Sequence, residues 1–78
     1  MAAIIWSKLN CPYCEQAKGL LTQKGIVFEE RKLGEQYSTE DLLKVVPTAK
    51  TVPQIFMGET LVGGFKELKK YLEENNVN

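Results

Sequence analysis

Cys11 and Cys14, with Pro12 and Tyr13 between them, interrupt the chain where one hydrophobic periodicity gives way to another. Before them, Ala3-Ile4-Ile5-Trp6 is a short apolar run rich in β-formers, followed by the turn-prone Ser7-Lys8-Leu9-Asn10, and it reads as a buried strand. After them, Tyr13, Ala17, Leu20 and Leu21 fall at helical spacing, and Gly25 stands just past Lys24 as a C-terminal stop. The thiols are therefore pinned to a strand-to-helix junction, with Cys11 at or beside the N-cap. Pro12 is tolerated there because first-turn amides have no intrahelical partner to lose. The chain holds only these two cysteines and no histidine, so one copy cannot complete the usual four Cys/His ligands of a structural zinc site.

The remaining elements follow in order. Ile26-Val27-Phe28-Glu29-Glu30-Arg31 reads as a second strand, which a crossover helix of this length should place parallel to the first. Ser38-Thr39-Glu40-Asp41 resembles a capping signal with acids in the first turn, and it opens a short helix, Leu42 to Val46, that Pro47 ends. Thr51 to Met57 and Thr60-Leu61-Val62, parted by Gly58-Glu59, carry the strongest hairpin signal in the chain. Gly63-Gly64 breaks the last strand. Phe65, Leu68 and Leu72, with Tyr71, then form an apolar stripe beside Lys66, Lys69, Lys70, Glu73 and Glu74, an amphipathic closing helix. Asn75 to Asn78 read as a frayed tail. The order β-α-β-α-β-β-α gives α and β layers around one small sheet. A chain of 78 residues holds at most one such unit, so a single domain over residues 1–78 is expected.

Composition narrows the partners. With 44% apolar and 26% charged residues the chain has the make-up of a folded globular protein. Ten Lys and Arg balance ten Asp and Glu, which supplies no basic field for a phosphate backbone and no polybasic membrane signal. Neither nucleic acid nor membrane is expected as a partner. The apolar stretch ending at Trp6 is far short of the roughly 20 residues needed to cross a bilayer. No secretory signal is expected, since the start lacks a charged region followed by a longer apolar run, and a reducing, cytoplasmic setting is the expectation.

Three positions apart on one helical turn, the two thiols suit the Cα separation of ~4.4 to 6.8 Å that a disulfide allows. Unpaired helix amides and the macrodipole favour negative charge on Cys11, which makes it the thiolate and the attacking nucleophile. Cys14, pointing back into the first turn, is the less exposed resolving thiol. A structural disulfide or half of a metal site is the alternative, although a loop this short constrains the unfolded chain little. Trp6, Phe28, Ile55 and Phe56 read as core, and Glu29-Glu30 and the charges of the last helix as solvated faces.

A strand followed by Cys11-Pro12-Tyr13-Cys14, then Thr51-Val52-Pro53, then Gly63-Gly64, resembles a dithiol glutaredoxin over nearly the whole chain. The resemblance implies a thioredoxin-like α/β fold, a four-stranded mixed sheet flanked by three helices, with glutathione bound beside the nucleophile. It places Lys8 opposite the glycyl carboxylate of glutathione and the attacking sulfur, Tyr13 as an aromatic wall of the groove, and Lys50 as a basic residue at its edge. Thr51 would shape a turn before a cis Val52-Pro53 bond, which presents the Val52 backbone to substrate as if to an added strand. Gly63 and Gly64 let the chain approach a ligand closely and leave the amides of Phe65 and Lys66 for the γ-glutamyl carboxylate, with Glu67 holding the glutamyl ammonium. Here the chain departs from the family, in which a small residue and one or two acids or hydroxyls commonly follow the glycines. Phe65 adds bulk and Lys66 replaces a polar or acidic group.

The function so implied is a glutathione-dependent thiol-disulfide oxidoreductase that reduces protein disulfides and glutathione mixed disulfides through Cys11 and Cys14. Glutathione acts as co-substrate, and neither a metal nor a tightly bound cofactor is expected. Expected partners are glutathione and disulfide-containing proteins such as ribonucleotide reductase, with the chain a monomer. Two other readings compete. One is a glutaredoxin-like redoxin recharged by thioredoxin reductase, which Phe65 and Lys66 favour. The other is an iron–sulfur carrier in which two chains each give Cys11 and two glutathiones supply the remaining thiolates, a role that members with this Pro-Tyr filling usually lack. A non-catalytic interaction module ranks last.

Overall fold

The structure, a computed structural model, describes residues 2–75. Its elements are β1 (Ala3–Ser7), α1 (Pro12–Gln23), β2 (Phe28–Lys32), α2 (Thr39–Val45), β3 (Gln54–Met57), β4 (Thr60–Gly63) and α3 (Phe65–Glu74). The strands form a four-stranded sheet of order β2-β1-β3-β4. β1 runs parallel to β2 and antiparallel to β3, and β4 returns antiparallel beside β3. This is the four-stranded mixed sheet of the thioredoxin-like fold, and along the chain the elements follow the expected order β-α-β-α-β-β-α.

Period-2 alternation along β1 divides its side chains between two layers. Ala3 and Ile5 face α1 and α3, where they join Ile55, Met57, Ala17, Leu21, Leu68 and Leu72 in the larger buried cluster. Trp6 faces the opposite side and packs with Leu42 and Val46 around α2, where Ile4 and Phe56 adjoin it. α2 starts where the capping signal placed it. The Ser38 hydroxyl accepts the Asp41 N–H at 3.2 Å, and the Asp41 carboxylate accepts the Ser38 N–H at 2.8 Å. The Ser38 N–H, and the Ser38 hydroxyl donating to Asp41 Oδ2 at 3.1 Å, hold the Asp41 carboxyl below its ordinary pKa, the backbone donor contributing most.

Two strand starts differ from the sequence reading, each for a backbone reason. β2 begins at Phe28 rather than Ile26, because the Ile26 N–H donates to the Leu21 carbonyl at 2.9 Å and so belongs to the closing turn of α1. Val27 is left 76% exposed. β3 begins at Gln54 rather than Thr51, since Pro53 has no N–H to give a ladder. Asn75 closes α3, its amide N–H and side-chain Nδ2 both donating to the Tyr71 carbonyl. The rest of the expected frayed tail lies outside the described residues. Among the described residues no helix is long and apolar enough to cross a membrane.

The acids of β2 are not a uniformly solvated face. Ser7, only 1% exposed at the end of β1, donates its hydroxyl to Glu30 Oε2 at 2.6 Å. Lys18 of α1 reaches the same carboxylate at 2.9 Å and Glu15 at 2.8 Å, so one polar cluster ties β1, β2 and α1 together. The Ser7 hydroxyl, with the Lys18 ammonium, holds the Glu30 carboxyl below its usual value. Beside it, the Arg31 guanidinium pairs with Glu29 at 2.6 Å and lies 5.2 Å from the Trp6 ring centroid and 5.3 Å from that of Tyr37.

Replacing Glu30 by Gln should lower stability at neutral pH by about 1 kcal/mol. Because the folded Glu30 carboxyl titrates below its unfolded value, this contribution is complete above the ordinary carboxyl pKa of about 4.3 and is lost as pH falls through the folded pKa. Urea midpoints of wild type and variant should therefore converge in acid. A gap that stays constant with pH would contradict this account of the cluster.

Candidate active site

β1 delivers the chain to the site through a turn in which Asn10 takes a left-handed conformation, φ 59°. Asparagine tolerates this region better than most residues. Cys11 is then the N-cap of α1 in extended conformation, with Pro12 as the first helical residue. Its sulfur accepts the Cys14 N–H at 3.2 Å, and its carbonyl accepts the Glu15 N–H at 3.1 Å. The sulfur thus holds an amide that the helix itself leaves unpaired. Cys11 and Cys14 are joined as a disulfide, their Cα atoms 5.2 Å apart. Cys11 is 7% exposed and Cys14 not at all, so both are buried and the first is the more accessible.

Across from the disulfide, the Val52 carbonyl oxygen stands 3.8 Å from Cys11 Sγ. A free Cys11 thiol would find an acceptor there. The Val52–Pro53 peptide is cis. Between this segment and α3 runs a groove of about 340 Å³ lined by Tyr13, Thr51, Val52, Pro53, Gly64, Phe65, Lys66 and Glu67. Tyr13 is 54% exposed, and its ring lies 6.2 Å from that of Phe65, tilted by 31°. Phe65 also packs on the larger core cluster, so it serves as both anchor and wall.

Of the other sequence-derived candidates, Lys8 and Lys50 lie together in an adjoining hollow of about 200 Å³ that shares Thr51 and Val52 with the groove. Gly63 does not line the groove; at φ 119° it makes the bend that carries β4 into α3. Glu67 has an engagement the sequence reading missed. Its Oε1 accepts the Gly64 N–H at 2.9 Å, the acid half of a capping box on α3. The signal was present as an acid three residues past the N-cap, but a glycine cap offers no hydroxyl to announce it.

The fold and the paired cysteines define a thioredoxin-like protein with a dithiol at the start of its first helix. Residues 3–62 match the glutaredoxin family. Glutaredoxin 3 of Escherichia coli strain K12 is 40% identical over 65 residues, 82% of this chain and 77% of that protein. The hybrid peroxiredoxin hyPrx5 of Haemophilus influenzae is 43% identical over 67 residues, 86% of this chain, which spans only 27% of that longer protein. Among solved structures, the buckwheat glutaredoxin–glutathione complex superposes with a TM-score of 0.78 at 28% identity, covering 96% of this chain and 71% of that one. The chain belongs to the glutaredoxin family.

A Cβ built on Gly63 would stand 3.1 Å from Glu67 Cβ and Cγ, in a backbone region that L side chains rarely adopt. Gly63→Ala should therefore cost ~1–3 kcal/mol. Gly19→Ala, in α1 with nothing within 4 Å, should instead stabilise by about 0.5–1 kcal/mol. Denaturant titration of the pair checks both signs.

Proposed function

We propose that the protein is a glutathione-dependent thiol-disulfide oxidoreductase whose nucleophile is Cys11. The observation that carries the reading is the position of Cys11 Sγ, which caps a helix, accepts an amide N–H and stands 3.8 Å from the carbonyl oxygen of Val52, a residue of the groove wall. Such a sulfur is stabilised as thiolate by the amides and macrodipole around it. In the reduced enzyme the Cys11 thiolate attacks the glutathionyl sulfur of a mixed disulfide. A Cys11–glutathione disulfide forms and the protein thiolate leaves. Resolution follows one of two routes. A second glutathione thiolate attacks the adduct, regenerating Cys11 and releasing glutathione disulfide, or Cys14 attacks Cys11, releasing glutathione and forming the internal disulfide. Two further glutathiones reduce that disulfide. Protein disulfides enter by the same attack and leave through Cys14.

In this reading glutathione lies in the groove between Val52 and α3. Tyr13 and Phe65 flank it, and the Val52 backbone pairs with it as with an added strand. Thr51 and Pro53 shape that wall, and Lys8 and Lys50 attract a carboxylate from the adjoining hollow. The amides of Phe65 and Lys66, beside Gly64, receive the γ-glutamyl carboxylate, while Glu67 meets the ammonium with the oxygen that Gly64 leaves free. Electron acceptors of this class include ribonucleotide reductase, and the similarity to a hybrid peroxiredoxin adds peroxide-oxidised thiol proteins. The protein acts as a monomeric single domain in the cytoplasm. Lys66, where the family commonly has an acid or hydroxyl, favours thioredoxin reductase as the competing source of electrons.

A coupled assay decides between the two sources. NADPH consumption with a small glutathione mixed disulfide is followed with glutathione plus glutathione reductase, and separately with thioredoxin reductase alone. Turnover is expected only with glutathione. It should fall to background in Cys11→Ser and persist in part in Cys14→Ser. Turnover driven by thioredoxin reductase would transfer the protein to the competing reading, and activity surviving in Cys11→Ser would overturn both.

A further inference from the structure

Beyond the Tyr13 and Phe65 rings the groove continues into a second hollow of about 640 Å³, lined by Tyr13, Phe65, Lys66, Lys69, Lys70 and Glu73. The two hollows share Tyr13, Phe65 and Lys66, so a chain lying in the first passes directly into the second. The second differs in character. It sets three lysines against one glutamate in a protein whose net charge is zero, so its positive field is local. Among the described residues Lys66 and Lys69 have no ion-pair partner within 4.0 Å. Lys70 has only Glu74, at 4.0 Å and with both side chains largely exposed, a pair that holds neither charge firmly. The rings of Tyr13 and Phe65 give the hollow an apolar end nearest the disulfide, and the lysines make a cationic end farther along α3.

We propose that this hollow docks the acidic segment flanking the target cysteine of a protein substrate, an apolar residue against Tyr13 and Phe65 and carboxylates among the lysines. The proposal rests on the oxidoreductase reading for its substrate class, and it adds a preference that a free small disulfide does not report. Charges around the edge of an interface act mainly on encounter and salt dependence. The preference therefore resides in kcat/KM at low ionic strength and fades once the Debye length shortens to a few ångströms.

The test uses two cysteine peptides of equal length, each as its glutathione mixed disulfide, one with Asp and Glu flanks and one with Lys and Arg flanks. The acidic peptide should be turned over with a kcat/KM about fivefold higher at low salt, the two becoming equal near 1 M salt. Lys69→Glu with Lys70→Glu should reverse the order while leaving turnover of a small mixed disulfide unchanged. Lys69→Gln with Lys70→Gln should abolish the preference, which guards against a misfolded first variant, and circular dichroism checks both. Fluorescence anisotropy with Cys→Ser versions of the peptides reads docking without turnover. Tighter binding of the acidic peptide there, even with no reductase activity, would uphold the hollow and sink only the oxidoreductase reading. Equal binding of the two peptides at low salt, or a preference untouched by the lysine substitutions, would overturn the proposal.

Discussion

The enclosure of β1 governs the rest of the molecule. It has a strand along each edge and a helical layer over each face, and Ala3, Ile5, Trp6 and Ser7 are all at most 2% exposed. A strand so enclosed has its register fixed, because a slip of one residue would exchange the two layers. The position at which it releases the chain is then fixed as well. Ser7, bonded to Glu30, is the last residue held, and the turn through Asn10 places Cys11 on the helix end within reach of Val52. The chemistry of the site is thus a property of where β1 stops.

Two helix starts meet at this place and are answered differently. α1 opens with a sulfur as its acceptor, and α3 opens with the carboxylate of its own Glu67. Both leave part of their first-turn amides free, so the groove between them favours negative groups without holding a fixed cation at its centre. Lys66 lines its wall on α3, and the other lysines near the site stand outside it, Lys8 and Lys50 in one adjoining hollow and Lys69 and Lys70 in the other.

Much of this was legible in the chain itself, wherever a local rule sufficed. The apolar run of β-formers in Ala3-Ile4-Ile5-Trp6, the Ser38 capping signal and the turn at Gly58-Glu59 each needed only their neighbours, and the strand, the helix cap and the hairpin turn formed there. What escaped reading depends on partners distant in sequence. Glu30 looked like one of two surface acids until parallel pairing set β2 beside β1 and brought Ser7 and Lys18 to it. Ile26 looked like strand because its β-branched side chain carries no information about its amide, which the end of α1 had claimed. Lys69 and Lys70 looked like an ordinary polar helix face, and only the placement of α3 beside Tyr13 makes that face a wall.

The two layers are unequal. Eight buried residues bind α1 and α3 to the sheet, whereas three hold α2 on the opposite face. Partial opening follows the smaller cluster, since the free energy of a local excursion scales with the apolar surface it must expose. The α2 side, with the connection that carries Lys50 to Val52, would therefore exchange its amide hydrogens sooner than α1 beneath Cys14. The site accordingly has one rigid jaw, bearing the sulfurs, and one that yields. A folded partner too bulky for the resting groove would be admitted by the second without disturbing the first.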